Sequence, residues 1–257
     1  MKLNGFVDRM IIFAFDCTIS FKGYFYFNSN TLIMKLKTIL AFLCVVVTVS
    51  SCITFEEIYS FNSDGSGTMQ YVIDFTEYAE IFESLNDETE STSEEEEEDP
   101  MAEMTNVLKE KITELQSIDG VSDAKVVDKG KYVFCMQYKF SNLVALNKAL
   151  NLVKNEMAEG EHEFFALKGK KIIHKGNFGD LGETLREGNE DEESQEMMAM
   201  VMDQMKYNLT IQFASPVKSV KTGGPGSLDA SKKEFKVTTT FTEILNNQSV
   251  FDSEFKR

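Results

Sequence analysis

Alternating apolar and polar residues predict a β-hairpin near residue 60. Thr54 to Asn62 forms the first strand, Ser63 to Gly67 the turn, and Thr68 to Phe75 the second strand. The turn contains Asp-Gly, a dipeptide that strongly favours hairpin turns. One face of the first strand carries three aromatic residues and a single acid that breaks the pattern, namely Phe55, Tyr59, Phe61 and Glu57.

A second hairpin of the same kind follows, with Val121 to Val127 and Tyr132 to Phe140 joined by a turn at Asp128-Lys129-Gly130. Helices are predicted around it from apolar residues three and four positions apart. The first helix runs from Pro100 to about Ile118, and Ser141 caps another. Apolar side chains line one side of the helix after Ser141: Leu143, Leu146, Leu150 and Val153.

A hydroxyl residue also follows the first hairpin, because Thr76 is placed to cap a helix that extends towards Leu85. A shorter copy of the pattern lies near the end of the chain, where the strand Phe235 to Thr240 leads to Phe241-Thr242. These copies are either a true repeat or the common arrangement of two strands and a helix. Both interpretations predict an α+β fold, with a mainly antiparallel sheet built from ββα units and helices packed on one face.

The remaining segments contribute further strands and one unusual helix. Phe164 to His174 is predicted to form a strand pair, with strands also at Tyr207 to Ala214 and at Pro216 to Val220. Glu196 to Lys206 is predicted to be a helix with five methionines, which either pack on the sheet or line an apolar groove. A groove would require Met197, Val201 and Met205 to be partly exposed.

Two acidic segments interrupt this pattern. Nine of the thirteen residues from Asp87 to Asp99 are acidic, so mutual repulsion predicts a disordered, solvated insertion. Residues 176–194 are predicted to form a second acidic loop. The alternative for the first segment is a tract that binds a cation or a partner, but it lacks the carbonyl-supplying or glycine-containing loop pattern of a calcium site.

The segment from Met34 to Cys52 has a different character. Lys35 and Lys37 precede a short apolar run, which ends in small residues and a cysteine. This order is typical of a secretory signal, and the run is shorter than the ~20 apolar residues of a spanning helix. Val49-Ser50-Ser51-Cys52 resembles the lipobox of bacterial lipoproteins. The resemblance implies cleavage before Cys52, acylation of Cys52, and a signal peptide at residues 34–51.

Residues 1–33 are rich in Phe and Tyr and show no helical or strand period. We expect them to be an over-extended N-terminus, with the natural start at Met34. The alternative is a membrane segment ahead of the signal, although charged residues interrupt any spanning run. Residues 52–257 then form a single α+β envelope domain. Its first hairpin, with Asp64 to Gly67, is similar to that of uncharacterised envelope lipoproteins.

The cysteines fit this organisation. Cys17 and Cys44 lie in the part expected to be removed, and Cys52 would carry the lipid. Cys135 is left without a partner in the mature chain, and we expect it to be a small buried hydrophobic residue on a strand.

Charge excludes one class of partner. The whole chain has a net charge of −16. Residues 1–51 hold five cations and two acids, so the mature part has 21 cations, 40 acids and a net charge of −19. Such a surface repels nucleic acids and anionic headgroups. We therefore expect membrane association through the lipid at Cys52, and no nucleic-acid binding.

No catalytic, cofactor-binding or metal-binding motif occurs in the sequence. His162 and His174 are twelve residues apart with no further ligand nearby, which matches no metal motif. Nucleophile-elbow and phosphate-loop motifs are missing. We therefore expect a non-catalytic binding or assembly module that recognises an envelope protein or a lipid. The alternative is an envelope hydrolase with an unrecognised carboxylate site. We expect the anchor in the outer rather than the inner membrane, with the domain in the periplasm or at the cell surface.

Overall fold

The computed structural model describes residues 53–79, 100–154, 160–178 and 201–257. Within these ranges the chain forms eleven strands and three complete α-helices, and residues 201–204 are also helical. The helices are α1 (Pro100–Gln116), α2 (Leu143–Lys154) and α3 (Phe241–Asn246). The strands are β1 (Thr54–Phe61), β2 (Gly67–Asp74), β3 (Val121–Val126), β4 (Val133–Phe140), β5 (Phe165–Lys168), β6 (Lys171–His174), β7 (Lys206–Phe213), β8 (Ser219–Thr222), β9 (Ser227–Leu228), β10 (Glu234–Thr240) and β11 (Ser253–Lys256).

The strands form two sheets. The larger has seven strands in the order β3-β4-β2-β1-β7-β10-β9, and the smaller has four in the order β5-β6-β11-β8. All pairs are antiparallel except β1 with β7, which are parallel. The α+β class and the mainly antiparallel pairing predicted from the sequence are confirmed, although a second sheet accompanies the predicted one.

Both predicted hairpins are present. In the β1–β2 hairpin, Phe61 pairs with Gly67 across a turn in which Gly65 has a φ of 90°. That left-handed conformation suits glycine, because it lacks a Cβ. Gly67 has a different role, since a Cβ at this position would lie 2.1 Å from the carbonyl oxygen of Ser60. The turn therefore uses one glycine for its backbone angle and another for close strand approach.

One face of the large sheet is buried. It carries Phe55, Tyr59 and Phe61 of β1, as predicted, and aromatic residues of the smaller sheet pack on it. For example, the Phe165 ring lies 4.8 Å from that of Tyr59, centroid to centroid. The opposite face carries polar side chains that bond across strands, such as Ser60 to Gln212 at 2.7 Å. One buried and one solvated face is the usual arrangement of an antiparallel sheet.

All three predicted hydroxyl caps are wrong. Thr76 lies inside a short 3-10 helix, Thr76–Tyr78, that has no side-chain cap, and its N–H donates to Asp74. Asn142, not Ser141, caps α2 by accepting from the N–H of Ala145 at 3.0 Å. At α3 the cap is Thr240 rather than Thr242, and Thr240 forms a reciprocal capping box with Glu243. The three segments share a Phe followed by a hydroxyl residue, but that hydroxyl caps no helix in any of them.

Several predicted boundaries also differ from the structure. The methionine-rich helix was predicted to reach Lys206, but β7 already begins at that residue. The strand predicted from Pro216 to Val220 is found at Ser219–Thr222. Residues 87–99 and 179–194 of the two acidic segments lie outside the described residues. At the start of the second segment, Phe178 is buried in the core and packs on Tyr207.

Candidate functional site

Cys52 lies outside the described residues, directly before the first of them. Ile53 is 2% exposed, and its carbonyl oxygen accepts a hydrogen bond from the N–H of Lys206 at 2.9 Å. Strand β1 begins at the next residue, Thr54. The first described residue, one position after the cysteine of the lipobox-like sequence, is therefore already part of the buried body.

Cys135 is a free, fully buried residue on β4, as the sequence predicted. Burial raises the pKa of its thiol, which disfavours the reactive thiolate. It therefore behaves as a packing residue.

The two histidines lie in different environments. His162 is half-buried and packs against Phe164, whereas His174 is 1% exposed at the end of β6. The Nδ1 of His174 lies 2.9 Å from the carbonyl oxygen of Phe251. Burial lowers the pKa of His174 to about 4, so the ring is neutral at pH 7. Across the described ranges, no group of three or more His, Cys, Asp or Glu side chains could hold a metal ion.

The most unusual interior feature is a buried ion pair. Glu57 is the acid that broke the apolar pattern of β1, and it points into the core with 1% exposure. Its Oε1 lies 2.5 Å from Nζ of Lys154, the last residue of α2, which is 3% exposed. Two hydroxyls complete the shell, because Tyr59 donates to Oε2 at 2.5 Å and Tyr207 donates to Oε1. We call Glu57, Lys154, Tyr59 and Tyr207 the core polar cluster.

Electrostatics favour the charged form of the Glu57 carboxyl. Burial raises the pKa of Glu57, but the Lys154 ammonium and the two tyrosine hydroxyls outweigh it and lower the pKa below its ordinary value. The ammonium also lies 5.1 Å from the Phe164 ring centroid and 5.2 Å from that of Phe178, within cation–π range. Burial, followed by the Glu57 charge, raises the pKa of both tyrosines.

The core polar cluster is closed to solvent. Among the described buried side chains, only Tyr138 Oη and His174 Nε2 lack a hydrogen-bond partner. Every oxygen of Glu57, by contrast, accepts from a donor in the protein. An inaccessible, fully bonded carboxylate cannot meet a substrate, so Glu57 does not supply the carboxylate site of a hydrolase.

A second feature is open to solvent. A groove of about 820 Å³ lies between the end of α1, one side of α2 and residues 161–163. Its lining includes the apolar residues Ile118, Val144 and Leu152, and four charged residues, Glu114, Lys148, Glu161 and Glu163. Val144 is 66% exposed, so its side chain is accessible to a ligand in the groove. We call this feature the helix groove.

Two asparagines of α2 hold the far wall of the helix groove. Asn151 accepts from the N–H of His162 at 2.7 Å and donates to its carbonyl oxygen at 2.9 Å. Asn147 binds the N–H and carbonyl of Phe165 in the same way, at 2.8 and 2.7 Å. These paired bonds fix residues 162–165 against the helix, so the groove is preformed.

The structure describes only the last part of the methionine segment, from Val201 onwards. Met202 and Met205 are both 5% exposed and belong to the core, while Val201 is half-buried. Met197 lies outside the described residues. The groove interpretation predicted a partly exposed Met205, and that prediction is wrong. The packing interpretation agrees with the burial of both Met202 and Met205.

The sequence did not identify the helix groove or the core polar cluster. Glu57 was a visible exception on an apolar face, and Lys154 continues the stripe of Leu146 and Leu150 at helical spacing. An acid on the apolar face of β1 and a lysine on the apolar face of α2 could together have predicted the ion pair.

Comparison with known proteins identifies no family for this chain. No family model matches the chain, and no curated protein matches it. Among solved structures, it is similar to the folded domain of LppM from Mycobacterium tuberculosis, determined by NMR. The TM-score is 0.36 at 11% identity, over 79% of this chain and 89% of that one. A TM-score this low supports no transfer of function from LppM to this chain.

Proposed function

We propose that this protein is a cell-envelope lipoprotein whose folded domain is a non-catalytic binding or assembly module. The chain would be exported, cut before Cys52 and acylated there. The observation that carries the proposal is the sequence Val49-Ser50-Ser51-Cys52 at the end of a charged and then apolar segment. Acyl chains are needed because the −19 charge of the mature part disfavours anionic membranes.

The start of the fold supports this division of the chain. Strand β1 begins at Thr54, so cleavage before Cys52 would leave all of the described fold in the mature chain. No helix in the described ranges is long and apolar enough to cross a membrane. One acyl chain binds a membrane only marginally, so stable attachment requires at least two. The proposed anchor is therefore a multiply acylated Cys52. We propose that it lies in the outer membrane, with the domain in the periplasm or at the cell surface.

The helix groove supports a binding role. It is open, its apolar lining includes the exposed Val144, and the asparagine bonds to residues 162 and 165 hold its wall in place. A preformed site loses less conformational freedom on binding than a mobile one. We propose that an envelope protein or a lipid binds there.

Fractionation tests the anchor. The wild-type chain, expressed in its native host, is expected in the detergent-soluble membrane fraction. The Cys52→Ala chain is expected either in the soluble fraction or as a precursor that keeps its signal peptide. Equal distribution of the two chains would contradict the proposal.

Affinity capture from envelope extracts tests the groove. Val144→Glu places a charge in the groove lining, and Leu167→Glu is a matched control because Leu167 is also exposed, at 60%, but does not line the groove. A partner captured by wild type and Leu167→Glu, and lost with Val144→Glu, is the expected result. Undiminished capture by Val144→Glu would contradict binding in the groove.

A further inference from the structure

The distance between the proposed anchor and the fold is very short. Only Ile53 separates Cys52 from β1, and Ile53 is itself buried and bonded to Lys206. One residue spans at most about 3.6 Å. An acylated Cys52 would therefore hold the start of β1 close to the headgroups, without a flexible linker.

Strand register shows which surface lies at that level. Thr54 pairs with Asp74 on β2 and with Lys206 on β7, and Lys206 pairs with Thr240 on β10. The 3-10 helix Thr76–Tyr78 continues beyond Asp74. We call this the anchor end of the large sheet.

The opposite end carries the Asn62–Ser66 turn. Strand β1 has eight residues, so the turn lies about 25 Å from Thr54 at the usual rise of a strand. Phe140 pairs with both Gly67 and Val121 at this opposite end. Helix α2 starts just after Phe140, which places Val144 and the adjoining part of the helix groove on the same side.

Exposed charges do not distinguish the anchor end from the rest of the domain. The described side chains exposed here include Lys129, Lys131, Lys206, Glu77, Asp128, Asp203 and Glu243. Acids outnumber cations among them, as they do in the mature chain, so charge does not draw this end to the headgroups. The short connection to Cys52 is what would hold this end at the membrane.

We propose that the anchor end of the large sheet rests on the bilayer surface, and that the Val144 end of the helix groove consequently lies on the side away from the membrane. The inference depends on the proposed acylation of Cys52. Its partner is the phospholipid headgroup layer, which the rigid connection through Ile53 holds against one defined end of the domain.

A single introduced cysteine can report this orientation in the mature lipoprotein, because acylation blocks Cys52 and Cys135 is buried. Glu77→Cys places a fluorophore at the anchor end, and Ser63→Cys places one in the opposite turn. Both variants are purified from host membranes and reconstituted into phosphatidylcholine vesicles that contain lipids with a headgroup quencher. Quenching is expected to be severalfold stronger at position 77 than at position 63.

A linker variant provides the matched control. Twelve Gly and Ser residues inserted between Cys52 and Ile53 keep the anchor but release the domain, so the difference between positions 77 and 63 should disappear. Equal quenching in an acylated chain without the linker would overturn this inference alone. A chain whose mass shows no acyl group would overturn the proposed function as well.

Discussion

Lys154 and Glu57 meet across the core with 2.5 Å between Nζ and Oε1, although 96 residues separate them in sequence. The contact joins the end of α2 to the central strand of the large sheet. Because β1 also follows the proposed anchor directly, this ion pair connects the strand next to the proposed anchor with the helix that forms one side of the groove.

Removal of one partner should be costly. Lys154→Met leaves the Glu57 carboxylate buried without its counter-charge, and we expect a loss of about 3–5 kcal/mol in the free energy of unfolding. The measurement is urea denaturation at pH 7. In the double variant Glu57→Gln with Lys154→Met no charge remains, so it should be more stable than Lys154→Met alone. A double variant that loses the sum of both single losses would contradict a coupled pair.

Stability should depend on pH through His174. Its pKa is lowered from 6.5 to about 4 in the fold, so between these values the unfolded chain binds a proton that the folded chain does not. Stability therefore falls as pH decreases across this window, by about 1.4 kcal/mol per pH unit.

The corresponding measurement is denaturation at intervals from pH 7 to pH 4.5 for wild type and His174→Gln. The variant should show a flatter profile. Glu57 does not obscure this window, because its lowered pKa makes stability fall only below its ordinary value of 4.5. An equal slope in both proteins would show that His174 is not the responsible group.

The wall of the helix groove should loosen when its asparagine bonds are removed. Asn151→Ala deletes the acceptor for the His162 N–H and the donor to its carbonyl oxygen. We expect local stability to fall by about 1–3 kcal/mol, and amide exchange at His162 to accelerate 5- to 150-fold. Asn208→Ala, on the solvated face of the sheet, is the control and should leave exchange at His162 unchanged. Unaltered exchange in Asn151→Ala would rule out a role in fixing the wall.

Local sequence signals predicted the local parts of this fold. The β1–β2 hairpin follows from alternation and Asp64-Gly65, and α2 from its leucine spacing, because both depend on residues close in the chain. The parallel pairing of β1 with β7 could not be predicted, since their partners lie about 150 residues apart. Strand β11 was missed because four residues, Ser253–Lys256, are too few for a period to show.

The candidate site was predicted less completely. The lipobox-like sequence is contiguous and could be read directly, and its acylation stays a prediction. The helix groove combines α1, α2 and residues 161–163, whose contact only the tertiary fold creates. The helix caps were missed by one or two residues because Asn142 and Thr240 compete with neighbouring hydroxyls for the same role.

The central claim concerns Cys52, and the intact mass of the mature protein from native membranes tests it most directly. We predict a chain of residues 52–257 with an added mass equal to two or three acyl groups and their glycerol on Cys52. An unmodified chain, or one whose first residue is not Cys52, would contradict the account.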